Sequence, residues 1–166
     1  QARLKSGEHV SLAEAMGDVG ELQTALVNAA ALDFSAGARD LAREKYERVL
    51  SLQDSAPSFQ PAAMSEWGLA GLGGVAGDLD EATPRYLTAQ ELCRQLGSAQ
   101  GLAWTSANLA EVLVRRGEWE RASAALDQAE PFFTAQGIAA GQLQVLGCRA
   151  RLDYRSGRLL AAEQTV

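Results

Sequence analysis

Apolar residues recur along this chain at the spacing of helix faces. In residues 119–129, Trp119, Ala122, Leu126 and Ala129 fall on one face of a helix. Residues 103–114 carry a similar stripe, and β-branched residues nowhere alternate over a length that would predict a strand. Gly117 separates the two stripes, and glycine readily adopts the positive φ that ends a helix. The pattern predicts a helix–turn–helix unit.

The unit recurs, because glycines stand 40 residues apart at Gly37, Gly77, Gly117 and Gly157. We expect the last three to end their helices with a positive φ. Two alanine series and one bulky series follow the same spacing: Ala30, Ala70, Ala110 and Ala150; Ala42, Ala82, Ala122 and Ala162; Tyr46, Tyr86, Leu126 and Val166. A repeat of about 20–50 residues indicates a solenoid, a propeller or an array. Helical hairpins of this kind bury their apolar faces by stacking.

The third copy resembles the tetratricopeptide repeat. The resemblance rests on Asn108-Leu109-Ala110, on Gly117-Glu118-Trp119, and on Ala122, Leu126 and Ala129. The other copies match less fully, through Ala30, Gly37, Ala42, Tyr46 and Val49, through Leu69, Ala70, Gly77, Asp78, Leu79, Ala82, Tyr86 and Ala89, and through Ala150, Gly157, Leu159 and Ala162. The resemblance implies an all-α fold, a right-handed solenoid of antiparallel helix–turn–helix repeats forming a tetratricopeptide-like superhelix.

The resemblance implies that residues 1–166 form a single array fragment. It implies that 1–19 is the second helix of a preceding repeat, that 23–62, 63–102 and 103–142 are whole repeats, and that 143–166 is a truncated fourth. The period of 40 residues exceeds the usual length of about 34. Longer repeats look like the arrays in large bacterial transcription regulators and signalling ATPases of the maltose-regulator type. The period also allows a HEAT-like array.

Three residues test the expected helices. Pro84 and Pro131 fall inside predicted second helices, and each should kink its helix or mark a delayed start or an early end. Trp119 stands where the tetratricopeptide repeat carries an aromatic residue. We expect it to be largely buried and to hold the third hairpin together.

The net charge of −6 argues against direct nucleic-acid contact, which relies on clustered Lys and Arg. Four arginines near the C-terminal end form either a solvated helix face or an anion-binding patch: Arg149, Arg151, Arg155 and Arg158. No apolar run reaches the roughly 20 residues that span a bilayer, so no membrane contact is expected. Cys93 and Cys148 are isolated thiols that fit a reducing, cytoplasmic compartment, and both are interpreted as small apolar core residues.

The sequence offers no convincing catalytic constellation, so an enzyme, a metal site and a cofactor are not expected. His9 is the only histidine, whereas a zinc site needs three or four neighbouring ligands. Gly71, Gly73 and Ala76 match a loose dinucleotide-binding fingerprint, but that motif follows a strand. The residues before it favour a helix.

Surface residues on the first helix of each repeat are the candidates for a binding site, because these helices line a concave groove in the tetratricopeptide family. The candidate groove residues are Asn28, Phe34, Trp67, Asn108, Glu111, Arg115, Arg151, Tyr154 and Arg155, with Ala31 and Gly71 beside them. Asn can bond a peptide backbone, Arg can clamp a carboxylate, and Trp and Tyr anchor interfaces. The arginines predict an acidic ligand for the C-terminal half, unless Glu111 and Asp153 pair with them. The alternative interpretation of each candidate is a solvated or packed helix residue.

The resemblance implies a non-catalytic protein- or peptide-binding scaffold within a larger bacterial regulatory or signalling protein. One alternative is a structural oligomerisation or spacer array that self-associates through uncapped ends. Another is an accessory segment of a multidomain enzyme whose catalytic domain lies outside this chain.

Overall fold

The computed structural model describes residues 2–158, and within them the chain forms eight α-helices and no strand. The helices are α1 (Ala2–Met16), α2 (Val19–Ser35), α3 (Arg39–Ser51), α4 (Phe59–Ala76), α5 (Leu79–Gln95), α6 (Ala99–Arg116), α7 (Trp119–Ala135) and α8 (Ala139–Arg155). The predicted second helix of the fourth repeat extends into residues 159–166, outside the described residues. The repeat boundaries and the 40-residue period stay predictions.

The helices stack in two layers. Each helix packs against the next one along the chain, and α2 also contacts α4, α4 contacts α6, and α6 contacts α8. These four alternate helices form one layer, and α1, α3, α5 and α7 form the other. The arrangement is an all-α helical solenoid, as the sequence predicts.

Short turns between the helices follow from their capping residues. Gly77 and Gly117 are the C-caps of α4 and α6, with φ of 89° and 79°. Gly157 follows the C-cap of α8 with φ of 76°, so the prediction of positive φ at these three glycines is confirmed. At the start of α5 the Asp78 carboxylate accepts a hydrogen bond from the Glu81 backbone N–H, which satisfies a donor that the helix leaves unpaired.

Alanine lines the contact between the two layers. Six of the alanines singled out in the sequence are fully buried: Ala30, Ala42, Ala70, Ala82, Ala110 and Ala122. Because a methyl group is the whole side chain, the helices can approach closely at these points. Ala150 is exposed, and the helix predicted to cover it lies outside the described residues.

An aromatic cluster fills the core between α6, α7 and α8. Phe133 is fully buried, and its ring meets that of Trp104 edge to face with centroids 4.7 Å apart. A Cβ on Gly141 would stand only 2.3 Å from Phe133 Cδ1, so the glycine makes room for the ring. Cys148 is fully buried in the same core, and Cys93 is also buried, which agrees with their interpretation as small apolar residues.

The structure places Trp119 and the two prolines within the helices. Trp119, the first residue of α7, is partly buried and packs against the core of α6, α7 and α8, with its ring beside Gly117 at the turn, and its role in holding the third hairpin stays a prediction. Pro84 and Pro131 mark neither a delayed start nor an early end, since α5 and α7 continue through them, and a kink at either proline stays a prediction. Both prolines are exposed, and buried residues on either side hold each helix in place.

Candidate functional site

Two adjoining cavities open on the layer formed by α2, α4, α6 and α8. One has a volume of about 810 Å³, and we call it the amide cavity after Gln60, Gln100, Asn108 and Gln144 in its lining. The other has a volume of about 720 Å³, and we call it the tyrosine cavity after Tyr46 and Tyr86. Trp67 and Asn108 line both cavities. We refer to the continuous surface that contains both cavities as the groove.

Trp67 and Asn108 form the ridge between the cavities. Trp67 is 40% exposed, which is large for an aromatic side chain next to two cavities. Asn108 Oδ1 accepts a hydrogen bond of 2.7 Å from Gln144 Nε2, which ties α6 to α8. This hydrogen bond leaves the NH₂ group of Asn108 as a donor and the carbonyl oxygen of Gln144 as an acceptor. A peptide backbone could bond to both, through its C=O and its N–H.

The amide cavity has a neutral polar and aromatic lining. Besides its four amide side chains it contains Trp67 and Trp104, and none of its lining residues carries a formal charge at neutral pH. The Cys93 thiol also lines this cavity, and burial raises its pKa. The lining therefore offers hydrogen-bonding groups and apolar contact but no ion pair.

The tyrosine cavity is lined by glycines of α4 and by aromatic rings. Gly68, Gly71 and Gly74 succeed one another along one face of α4, and all three line the cavity. Phe34 and Trp67 stand at its walls. A Cβ on Gly71 would lie 3.3 Å from Phe34 Cε1, so the ring of Phe34 lies against the glycine.

The structure brings five of the nine predicted groove residues together around the tyrosine cavity: Phe34, Trp67, Asn108, Glu111 and Arg115. Ala31 and Gly71 line it as well. The other four are exposed and line neither cavity, with Asn28 on α2 and Arg151, Tyr154 and Arg155 on α8. Ligand binding by any of the nine stays a prediction.

The arginines near the groove are engaged with neighbouring groups. Arg151 forms an ion pair with Glu111, and Arg115 Nη1 donates a 2.5 Å hydrogen bond to the Gly74 carbonyl. Arg149 lies 2.7 Å from Asp127 and 2.6 Å from Glu130, and Arg158 pairs with Asp153. These contacts favour paired, solvated arginines over the anion-binding patch. Arg115 donates to a neutral carbonyl and keeps its charge, so an acidic ligand for the C-terminal half stays a prediction.

Sequence reasoning did not identify four residues that shape the cavities. Trp104 and Gln144 lie on α6 and α8, and only the packing of these helices brings them to the amide cavity. Tyr46 and Tyr86 stand in the sequence only as members of the bulky series, and both are buried in the structure. Their repeated position was the available signal, since a tyrosine carries a hydroxyl that an ordinary core residue lacks.

Among residues 2–158, no three His, Cys, Asp or Glu side chains come together as a metal ion would require. The described helices include none that is long and apolar enough to cross a membrane. Residues 71–77 lie at the end of α4 and in the turn after it, not after a strand, which confirms the helix that the preceding residues predict.

Comparison with known proteins supports the repeat type that the sequence resembles. Residues 61–135 match the family model of the tetratricopeptide repeat, which supports a tetratricopeptide array. The chain is similar to the crystal structure of BtubC (BKLC) from P. vanneervenii, with a TM-score of 0.74 and 21% identity over 99% of this chain and 73% of that one. It also matches the de novo designed helical repeat protein DHR81, with a TM-score of 0.45 and 18% identity over 93% of this chain and 88% of that one. No curated protein sequence matches.

Proposed function

We propose that this chain is a non-catalytic scaffold module that binds a segment of another protein in the groove formed by α2, α4, α6 and α8. The observation that carries the proposal is the ridge of Trp67 and Asn108 between two adjoining cavities of about 810 and 720 Å³. Tetratricopeptide arrays and other solenoids use extended concave surfaces of this kind to bind partners.

The chemistry of the ridge suits a polypeptide. Trp67 offers a large exposed ring, and buried aromatic anchors dominate the binding energy of protein interfaces. The Asn108–Gln144 pair offers a donor and an acceptor to a peptide bond of the partner. A bound segment that crosses Trp67 places one side chain in each cavity.

The proposed context is a larger bacterial regulatory or signalling protein, in which this module recruits a partner or a neighbouring domain. The support is the resemblance of the long repeats to the arrays of maltose-regulator-type proteins. The two buried free thiols fit the reducing conditions of a cytoplasm.

Peptide display tests the proposal. Peptides selected on the wild-type chain are titrated against Trp67→Ala and against Leu87→Ala, a matched control on α5 that is 42% exposed where Trp67 is 40% exposed. We expect Trp67→Ala to weaken binding at least tenfold, as for an aromatic hot spot of about 2 kcal/mol. Leu87→Ala should leave the affinity unchanged. Equal losses in the two variants, or binding that ignores Trp67, would contradict the proposed groove.

A further inference from the structure

The groove runs lengthwise between α4 and α6. On α4 its lining extends from Gln60 in the amide cavity to Val75 in the tyrosine cavity, and on α6 it extends from Gln100 to Arg115. At roughly 1.5 Å per residue each wall is about 22 Å long, which matches about seven residues of an extended chain. The ridge between the cavities stands halfway along both walls.

The face of α4 that is exposed to the groove carries no charge. Met64, Trp67 and Val75 are 37%, 40% and 53% exposed along it. Glu66 is the only charged residue of this helix, and it pairs with Arg85 of α5 in the other layer. Because a surface helix normally turns charged and polar side chains to solvent, the composition of α4 is that of a helix with a partner on this face.

Charge appears at one end of the groove. Arg115 donates a hydrogen bond to the Gly74 carbonyl, and no carboxylate of residues 2–158 forms an ion pair with it. Glu111 beside it already pairs with Arg151, so these three side chains leave one positive charge uncompensated. The guanidinium has further N–H donors, and the carbonyl holds it at the C-terminal end of α4. At the other end, no residue that lines the amide cavity carries a formal charge at neutral pH.

The spacing of these groups sets a register for a bound segment. The amide groups of Asn108 and Gln144 lie at the ridge, and the guanidinium of Arg115 lies at the end of the groove. From Asn108 to Arg115 the α6 wall rises by about 10 Å, which corresponds to about three residues of an extended chain. An acidic side chain at that separation from the peptide bond held by the amides reaches Arg115.

We propose that the groove binds an extended segment of about seven residues that is uncharged in one half and carries an Asp or Glu near the other end. The uncharged half occupies the amide cavity, and the carboxylate pairs with Arg115. A carboxylate suits this place because it accepts two hydrogen bonds from a guanidinium, whereas in the amide cavity it would meet no cation. This inference rests on the proposed function and adds the course and the chemistry of the partner.

Selection from a library of displayed random peptides tests the register. The library is selected in parallel on the wild-type chain, on Arg115→Gln and on Arg39→Gln, a control that is exposed on α3 in the other layer. The wild-type chain and the control should enrich Asp or Glu at one position, about three residues from an uncharged stretch. Arg115→Gln should lose the acidic enrichment and keep the uncharged stretch.

One selected peptide and its analogue, in which the acid is replaced by the corresponding amide, then measure the ion pair by calorimetric titration. On the wild-type chain the analogue should bind roughly three- to tenfold more weakly, as for a charge-assisted hydrogen bond that is partly shielded from water. This difference should shrink as salt is added. On Arg115→Gln the two peptides should bind alike, and their binding also shows that the variant is folded.

Selected peptides that depend on Trp67 but show no acidic preference overturn this inference and leave the proposed function standing. An acidic preference that survives Arg115→Gln has the same consequence. Failure to select any peptide that depends on Trp67 overturns both. Sedimentation of the chain alone tests the other occupant: a dimer that Trp67→Ala dissociates would show that a second copy covers the groove, which also overturns the inference.

Discussion

The ring of Tyr46 lies directly against the backbone of Gly68, so that a Cβ on Gly68 would stand 2.3 Å from Tyr46 Cζ. Tyr46 belongs to α3 and Gly68 to α4, and both residues are buried. The contact joins successive helices through a ring on one side and bare backbone on the other.

Gly68→Ala should destabilise the chain by about 1–3 kcal/mol, because the added methyl overpacks against a buried ring. Gly74→Ala is the matched control in the same helix, since its Cβ would meet Val112 Cγ2 at an ordinary 3.8 Å. That control should be neutral or stabilising by up to about 1 kcal/mol, because alanine favours the helix. Urea unfolding measures both, and equal stability of the two variants would contradict the described packing.

Asp33 should make the stability depend on pH. Its buried carboxylate on α2 lies 2.7 Å from Arg3 on α1 and 2.7 Å from Lys45 on α3. Burial alone would raise the Asp33 pKa, but the hydrogen bonds and charges of Lys45 and Arg3 together lower it. With a folded pKa below the unfolded value, the stabilisation is present above the unfolded pKa of about 4 and is lost as pH falls through the folded pKa.

Asp33→Asn should therefore cost roughly 1–3 kcal/mol at pH 7, less than the loss of a fully buried pair, because half of the Arg3 side chain stays in solvent. The difference from wild type should shrink as the pH is lowered from 6 towards 3. Thermal melts across this range measure it, with the exposed Asp54→Asn as control. A difference that stays constant down to pH 3 would refute the role of the carboxylate.

Phe133 rather than Trp119 should hold the third hairpin. Phe133 is fully buried between Trp104 and Gly141, whereas Trp119 is half-buried at the start of α7. Phe133→Ala should cost about 3–5 kcal/mol, as for other core aromatics. Trp119→Ala should cost clearly less in the same urea titration. The reverse order would show that the ring of Trp119 packs more deeply than the structure has it.

The two thiols should be unreactive in the folded chain. Burial raises the pKa of Cys148 to about 11 and also raises that of Cys93, and the thiolate is the form that reacts. At pH 8 a thiol reagent should label the native protein far more slowly than the protein in guanidinium, where both thiols react. Rapid native labelling of Cys93, located by mass spectrometry, would show that the amide cavity exposes its sulfur to solvent.

The sequence predicted the helices well because their signals are local. Three patterns reflect contacts that every repeat makes with its neighbour: the apolar spacing, the glycines after α4 and α6, and the alanine series. The resemblance to the tetratricopeptide repeat was enough to predict that the first helices carry Phe34, Trp67 and Asn108 towards the groove. The pairing of the arginines could not be predicted from the sequence, because the ion pair between Arg151 and Glu111 depends on how α8 lies against α6.

The side chains that line the cavities could not be predicted from the sequence either. Trp104 and Gln144 reach the amide cavity only after their helices pack, and Tyr46 lines the tyrosine cavity although it is buried. A helix start or end at Pro84 or Pro131 was expected because local preference was given more weight than tertiary packing, yet α5 and α7 continue through both. At each of these positions the surrounding buried residues decide the outcome.

The central claim, that the groove binds a protein segment, is tested most directly by the three indole N–H signals of the chain. Trp67 and Trp104 line the cavities, whereas Trp119 lines neither. In a ¹⁵N–¹H spectrum titrated with a display-selected peptide, the signals of Trp67 and Trp104 should move together with the peptide concentration and that of Trp119 should stay in place. A titration in which Trp119 moves while Trp67 and Trp104 do not would contradict binding in the groove.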